Sequence, residues 1–170
     1  MKSSTFFKLF PPPKFLEMPY AGIDISDTSV HCLMYRHTRH GIELDRFGTK
    51  PLPKGAIEAG VILDEKAVVE AVRSLANELK VTYVKASLPE ERMYLFKTQV
   101  PFGTAAEIHE NIALRLEENV PLPAAEAVFY FDLIRSPLTN NHHTASVSVA
   151  PRKLVESYLT VLDKAGLITM

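Results

Sequence analysis

The chain has 170 residues, 46% of them hydrophobic, and its 19 lysines and arginines against 20 aspartates and glutamates leave a formal net charge of −1. That is enough chain for one ordinary domain or two small ones with a real core, and it excludes the basic excess that a phosphate backbone requires, so nucleic acid is not an expected partner. No apolar run approaches the roughly 20 residues of a membrane span, no apolar N-terminal stretch ends in a small-residue cleavage site, and the single cysteine, Cys32, gives no internal disulfide, which together point to a cytoplasmic protein.

The first 19 residues read as an arm. Phe6, Phe7, Leu9 and Phe10 precede Pro11-Pro12-Pro13, and three consecutive prolines stop a helix and favour an extended polyproline conformation. The arm packs along its own domain or touches a lipid interface or partner groove. From Tyr20 the texture changes to short strands. Residues 21–25, 30–36 and 42–47 are separated by Ser26-Asp27-Thr28 and His40-Gly41, which are turn signals, so a three-stranded antiparallel meander is expected. After a proline-broken loop over 51–60, Asp64 can cap a helix over 64–79 whose Ala67, Val68, Ala71, Val72, Leu75, Ala76 and Leu79 share one face. Residues 81–88 read as a buried strand stopped by Pro89, which places that helix between strands of one sheet.

A second unit begins near Arg92. Residues 93–100 alternate as a half-buried strand, with Tyr94, Phe96, Thr98 and Val100 on one face. Thr104 and Glu107 then form a capping box, with Ile108, Ile112 and Leu116 continuing a helix until Pro121. Strands are expected over 127–134 and 144–150, joined by Pro-Leu-Thr-Asn-Asn turn chemistry. Pro151 opens a last helix with Leu154, Val155, Tyr158, Leu159 and Leu162 as its apolar stripe, ending at Gly166. The order strand, helix, strand, strand, helix reads as one unit of an α/β (α+β) protein.

Isolated chemistry is weak. Cys32, His37 and His40 sit near one hairpin, but their spacing matches no common zinc pattern and a fourth ligand is missing, so Cys32 reads as a small core residue. His142-His143 reads as a solvated turn, and Glu107, Glu110, Glu117 and Glu118 as the wet face of a helix. No spacing of Ser, His and Asp suggests a nucleophile elbow or triad. No catalytic or metal residue is expected.

Four segments in order carry a resemblance: Gly22-Ile23-Asp24-Ile25-Ser26-Asp27-Thr28-Ser29-Val30, Ala86-Ser87-Leu88-Pro89, Glu117-Glu118-Asn119-Val120-Pro121-Leu122-Pro123, and Val149-Ala150-Pro151-Arg152 with its helix to Ala165-Gly166-Leu167. Over residues 20–168 the chain resembles the PilM family of type IV pilus assembly proteins, which share an actin-like (ribonuclease H-like) fold with the cell-division protein FtsA. Beyond the arm over 1–19, the resemblance implies the first half of actin-like subdomain IA over 20–90 and an inserted SHS2-type subdomain over 91–170.

The resemblance also implies a phosphate-1 loop, in which small residues let backbone amides approach phosphate and an aspartate holds a magnesium-bound water. Asp24 and Ser29 match that loop, Thr28 falls where any residue is accepted, but Ser26 stands where glycine is usual and Asp27 where threonine or serine is usual. A carboxylate at Asp27 would repel phosphate, and these residues are equally an ordinary hairpin turn. The second phosphate loop of the family follows the inserted subdomain, so the chain as it stands reads as a fragment. It is therefore expected to bind no cofactor, with ATP and magnesium held only by a longer version, and to catalyse nothing. The partner implied is the cytoplasmic peptide of an inner-membrane PilN-like protein, gripped near Leu88, Pro89, Arg92, Tyr94 and Pro121. Peripheral association with the inner membrane through that partner, and a homo-oligomer, stay open. So do two other readings, an actin-like ATPase and an FtsA-like filament former.

Overall fold

The computed structural model describes residues 20–38, 41–134 and 142–170. Expectations for the arm, for His40 and for the turn at 137–141 lie outside the described residues, as does the side chain of His37.

Alternation builds the first sheet. Strand β1 (Ala21–Ile25) buries Ala21, Ile23 and Ile25 on one face, and it pairs antiparallel with β2 (Ser29–Thr38), which pairs antiparallel with β3 (Gly41–Pro51). The expected meander is present. Helix α1 (Glu65–Leu79) covers this sheet. Asp64 caps it by accepting from the Ala67 amide at 3.0 Å, and Val68, Val72, Leu75, Ala76 and Leu79 face inward. It lies so close to β3 that a Cβ on Gly48 would sit 2.8 Å from Leu75 Cδ1. Between β3 and α1 the loop carries a small hairpin that the sequence reading did not resolve, β4 (Ile57–Glu58) and β5 (Val61–Ile62). After α1, β6 (Tyr83–Ala86) returns parallel to β1.

The second sheet has its own core. β7 (Tyr94–Pro101), β8 (Ala127–Ile134) and β9 (His142–Pro151) are arranged β7-β9-β8, all antiparallel. Val100, Ala127, Val147 and Val149 pack against Ile108, Ile112 and Leu116. Both halves of the capping box form, Thr104 accepting from the Glu107 amide and Glu107 from the Thr104 amide. The expected single helix divides into α2 (Ala105–Leu114) and α3 (Leu116–Asn119) at Arg115, whose guanidinium donates to the Gln99 carbonyl at 3.0 Å.

The last helix differs from expectation in where it goes. α4 (Arg152–Lys164) was expected to complete the second unit, but Leu154, Tyr158, Val161 and Leu162 pack in the first core beside α1. Gly166, at φ +86°, then turns the chain so that Leu167 is buried, and β10 (Ile168–Thr169) adds parallel to β6. The five-stranded sheet thus reads β10-β6-β1-β2-β3. The physical reason is coverage: the inner face of the second sheet is filled by α2 and α3, whereas the first sheet has apolar surface beyond α1 for a second helix. Order along the chain cannot tell which sheet a helix will cover.

Because Tyr158 belongs to the first core, Tyr158→Ala should cost about 3–5 kcal/mol. Hydrogen exchange should quicken across β1, β6 and α1 and leave α2 and β9 protected; the reverse distribution would put α4 in the other unit.

Candidate functional site

Parallel β1 and β6 end side by side, so the β1–β2 turn and the segment after β6 open on the same edge of the sheet. Crevices at the carboxyl ends of parallel strands are where α/β folds place ligands. Here an open cleft of about 380 Å³ is walled by Asp24, Ile25, Ser26 and Asp27 on one side and by Ser87, Leu88, Pro89, Glu90 and Glu91 on the other. Four of those walls are carboxylates and none is a lysine or arginine.

The turn is locked by its own side chains. The Ser26 hydroxyl donates to the Ser29 carbonyl at 3.0 Å and accepts from the Ser29 amide at 3.2 Å. Ser29 Oγ lies 2.9 Å from His31 Nε2, and His31 Nδ1 lies 3.0 Å from Thr49 Oγ1. Thr28 is exposed, its carbonyl accepting from the Leu52 amide at 2.8 Å. Asp24 accepts from the Ser87 hydroxyl, joining the ends of β1 and β6.

Asp27 reaches furthest. Its carboxylate accepts from the amides of Ala59 at 2.8 Å and Gly60 at 3.1 Å, at the tip of the β4–β5 hairpin. Both amides point the same way because Ala59 and Gly60 have φ of +47° and +75°. The same tip is held by Arg92, whose Nε donates to the Ala59 carbonyl at 2.6 Å, and by Tyr158, whose hydroxyl donates to the Gly60 carbonyl at 3.1 Å. Pro89 closes the fourth side, since a Cβ on Gly60 would lie 2.7 Å from Pro89 Cβ. Burial, and then the charges of Asp27, Glu91 and Asp24, push the Tyr158 phenol up to about 12.

Of the residues singled out in the sequence, Asp24, Ser26, Asp27, Leu88 and Pro89 share the cleft. Arg92 is drawn to the hairpin tip beside it, while Tyr94 opens β7 and Pro121 is an exposed residue beyond α3, neither walling the cleft. Sequence reasoning missed Ala59, Gly60, Glu90, Glu91 and Tyr158; Glu-Ala-Gly at 58–60 was the one readable turn signal. Among the described residues no group of three or more His, Cys, Asp or Glu side chains is placed to hold a metal. Cys32 is buried in the first core, and burial raises its thiol pKa. His143 packs edge-on against Phe102 with ring centres 4.3 Å apart. Glu107 is pulled below the usual carboxylate range by the backbone and hydroxyl of Thr104, and Glu117 accepts from the Ala124 amide at 2.8 Å, so these two are bonded rather than simply wet.

The order β10-β6-β1-β2-β3, with two helices on one face and a small three-stranded unit inserted between β6 and α4, defines a mixed α/β protein with part of an actin-like core. Its fold matches the solved PilM-PilN type IV pilus biogenesis complex, at a TM-score of 0.80 and 22% identity, over 90% of this chain and 46% of that one. It also matches the cytoplasmic domain of EpsL, an inner membrane component of the type II secretion system of Vibrio cholerae, at 0.59 and 14%, over 90% and 56%. No curated protein sequence matches the chain. Residues 22–170 match the family of the type IV pilus assembly protein PilM, and the chain belongs to that family. It spans about half the length of the solved structures it matches.

Two outcomes test this geometry. Gly60→Ala should destabilise the protein by about 1–3 kcal/mol, from the collision with Pro89 and the left-handed backbone, as read by chemical denaturation. The Tyr158 phenol holds its proton in the fold above the ordinary value of 10.0, to about 12. Its contribution is therefore complete below pH 10 and lost as pH rises through 12, at up to about 1.4 kcal/mol per pH unit. The difference in stability between wild type and Tyr158→Phe should shrink over that window and stay level below it.

Proposed function

We infer that this chain is a cytoplasmic adaptor of type IV pilus assembly that holds the N-terminal cytoplasmic peptide of an inner-membrane PilN-like protein. The observation that carries this reading is the cleft between the β1–β2 turn and residues 87–91, whose far wall is the connection from the first sheet to the second. Leu88 and Pro89 offer apolar surface, and four carboxylates give it a negative rim. β7 starts two residues beyond Arg92 and is an edge strand of its sheet. An extended peptide could add backbone bonds there while its side chains use the cleft. In this reading Leu88, Pro89 and Arg92 form the inner part of the groove, and Tyr94 and Pro121 its outer part. Residues 20–90 are the first half of subdomain IA and 91–151 the inserted subdomain, with α4 returning to IA. The solved PilM-PilN complex supports the choice of partner.

The same cleft argues against phosphoryl transfer by this chain. A triphosphate needs converging donors and magnesium ligands, but Asp27 already occupies two amides and adds to a negative surface. Asp24 and Ser29 favour ATP binding as the second reading, because they retain the family's loop positions.

Titration of a labelled PilN-like N-terminal peptide should give saturable binding, weakened at least tenfold, about 1.4 kcal/mol, by Leu88→Asp. No binding to this chain or to a longer version would refute the adaptor. Calorimetry with Mg-ATP should show no micromolar binding; heat that saturates in that range would put the ATP reading first.

A further inference from the structure

In the second sheet the polar and apolar strands are the reverse of what their places call for. The central strand β9 turns Thr144, Ser146 and Ser148 to the outer face and keeps Ala145, Val147 and Val149 for the core. β8 lies at an edge of that sheet, yet every residue of it except Asp132 is apolar or aromatic. Val128, Tyr130 and Ile134 follow its outer face, and Phe129, Phe131 and Leu133 its inner one. Tyr130 is 68% exposed and Leu133 42%, while Phe129 and Phe131 are only partly buried. A strand that is apolar on both faces has the pattern of an interior strand, whereas an edge that stays bare is normally defended by charge or proline. The opposite edge, β7, has such defences in Lys97 and Pro101, and β8 has only Asp132.

We propose that the free edge of β8 pairs with β8 of a second copy of this chain, antiparallel about a twofold axis through Phe131, joining two three-stranded sheets into one. The sequence of β8 itself argues for that occupant. Opposed residues of an antiparallel pair share a face, so the axis must pass through a residue position, and the central choices are Tyr130 and Phe131. About Tyr130, the Asp132 carboxylate would stand opposite Val128 of the other copy. About Phe131, Asp132 stands opposite Tyr130, whose hydroxyl can donate to it, Val128 opposite Ile134, and Phe129 opposite Leu133. The strand's one charge then gains a hydrogen-bond partner, and its aliphatic and phenylalanine side chains meet apolar neighbours on both faces. Such a pairing is isologous, so it uses up both bare edges and stops at two copies. None of the residues that wall the cleft belongs to β8, so dimerisation does not depend on the adaptor reading.

Sedimentation velocity of the 170-residue chain through the micromolar range should show a monomer–dimer equilibrium. Val128 and Ile134 are exposed on the outer face, so both accept charge without disturbing the core. Val128→Lys combined with Ile134→Lys sets lysine opposite lysine at both ends of the pair and should weaken dimerisation at least about tenfold. Val128→Lys combined with Ile134→Glu sets lysine opposite glutamate and should restore the dimer, a rescue specific to the Phe131 axis. A wild type that stays monomeric overturns the proposal, as does a dimer indifferent to the two lysines. Loss of the dimer in both double variants, each folded by circular dichroism, overturns it as well, because it rules out the register about Phe131.

Discussion

The tip of the β4–β5 hairpin is the point on which the architecture turns. Two consecutive amides there, Ala59 and Gly60, donate to one carboxylate, Asp27, and the two carbonyls beside them accept from Arg92 and Tyr158. Those three side chains come from the β1–β2 turn, from the connection between sheets, and from the returning helix. Backbone groups at a tight turn need partners, and here each partner is borrowed from a different part of the fold. Charge-assisted bonds from Asp27 and Arg92 are the stronger kind, and the buried phenol adds a bond that water does not contest. The tip therefore fixes where the second unit leaves the first and where α4 comes back.

This clamp also gives Asp27 a different job from the one its position suggests. In a phosphate-cradling loop the corresponding side chain would be small and the loop's amides free. Here the carboxylate reaches away to organise a neighbouring turn, the Ser26 hydroxyl is spent on the Ser29 backbone, and the Ser29 hydroxyl lies against His31. With Glu90 and Glu91 across the cleft, the surface is negative and would repel a triphosphate.

Much of the fold was readable because its signals are local. The Asp64 cap, the Thr104–Glu107 box, the short strand at 21–25 and the alternating strand expected over 93–100 each have signals within a few residues, and each formed, the last as Tyr94–Pro101. What escaped was non-local or too short. Two-residue strands such as Ile57–Glu58 and Ile168–Thr169 carry no period. α4 has an apolar stripe that any uncovered sheet would accept, and only the competition between two cores decides its place. The same holds for the site. Asp24, Ser26, Asp27, Leu88 and Pro89 could be picked from the sequence and do meet in one cleft, whereas the bonds from Asp27 to residues 32 and 33 positions away, and from Tyr158 to one 98 away, have no sequence signature.

In the proposed adaptor the peptide lies where the two units join. Hydrogen exchange of the chain with and without a saturating PilN-like N-terminal peptide tests it most directly, because protection maps contact without disturbing the clamp. A peptide in that groove should slow exchange only over residues 24–27, 58–60, 87–95 and 119–122. Protection on β8 or on the β2–β3 hairpin, with the cleft unchanged, would contradict it.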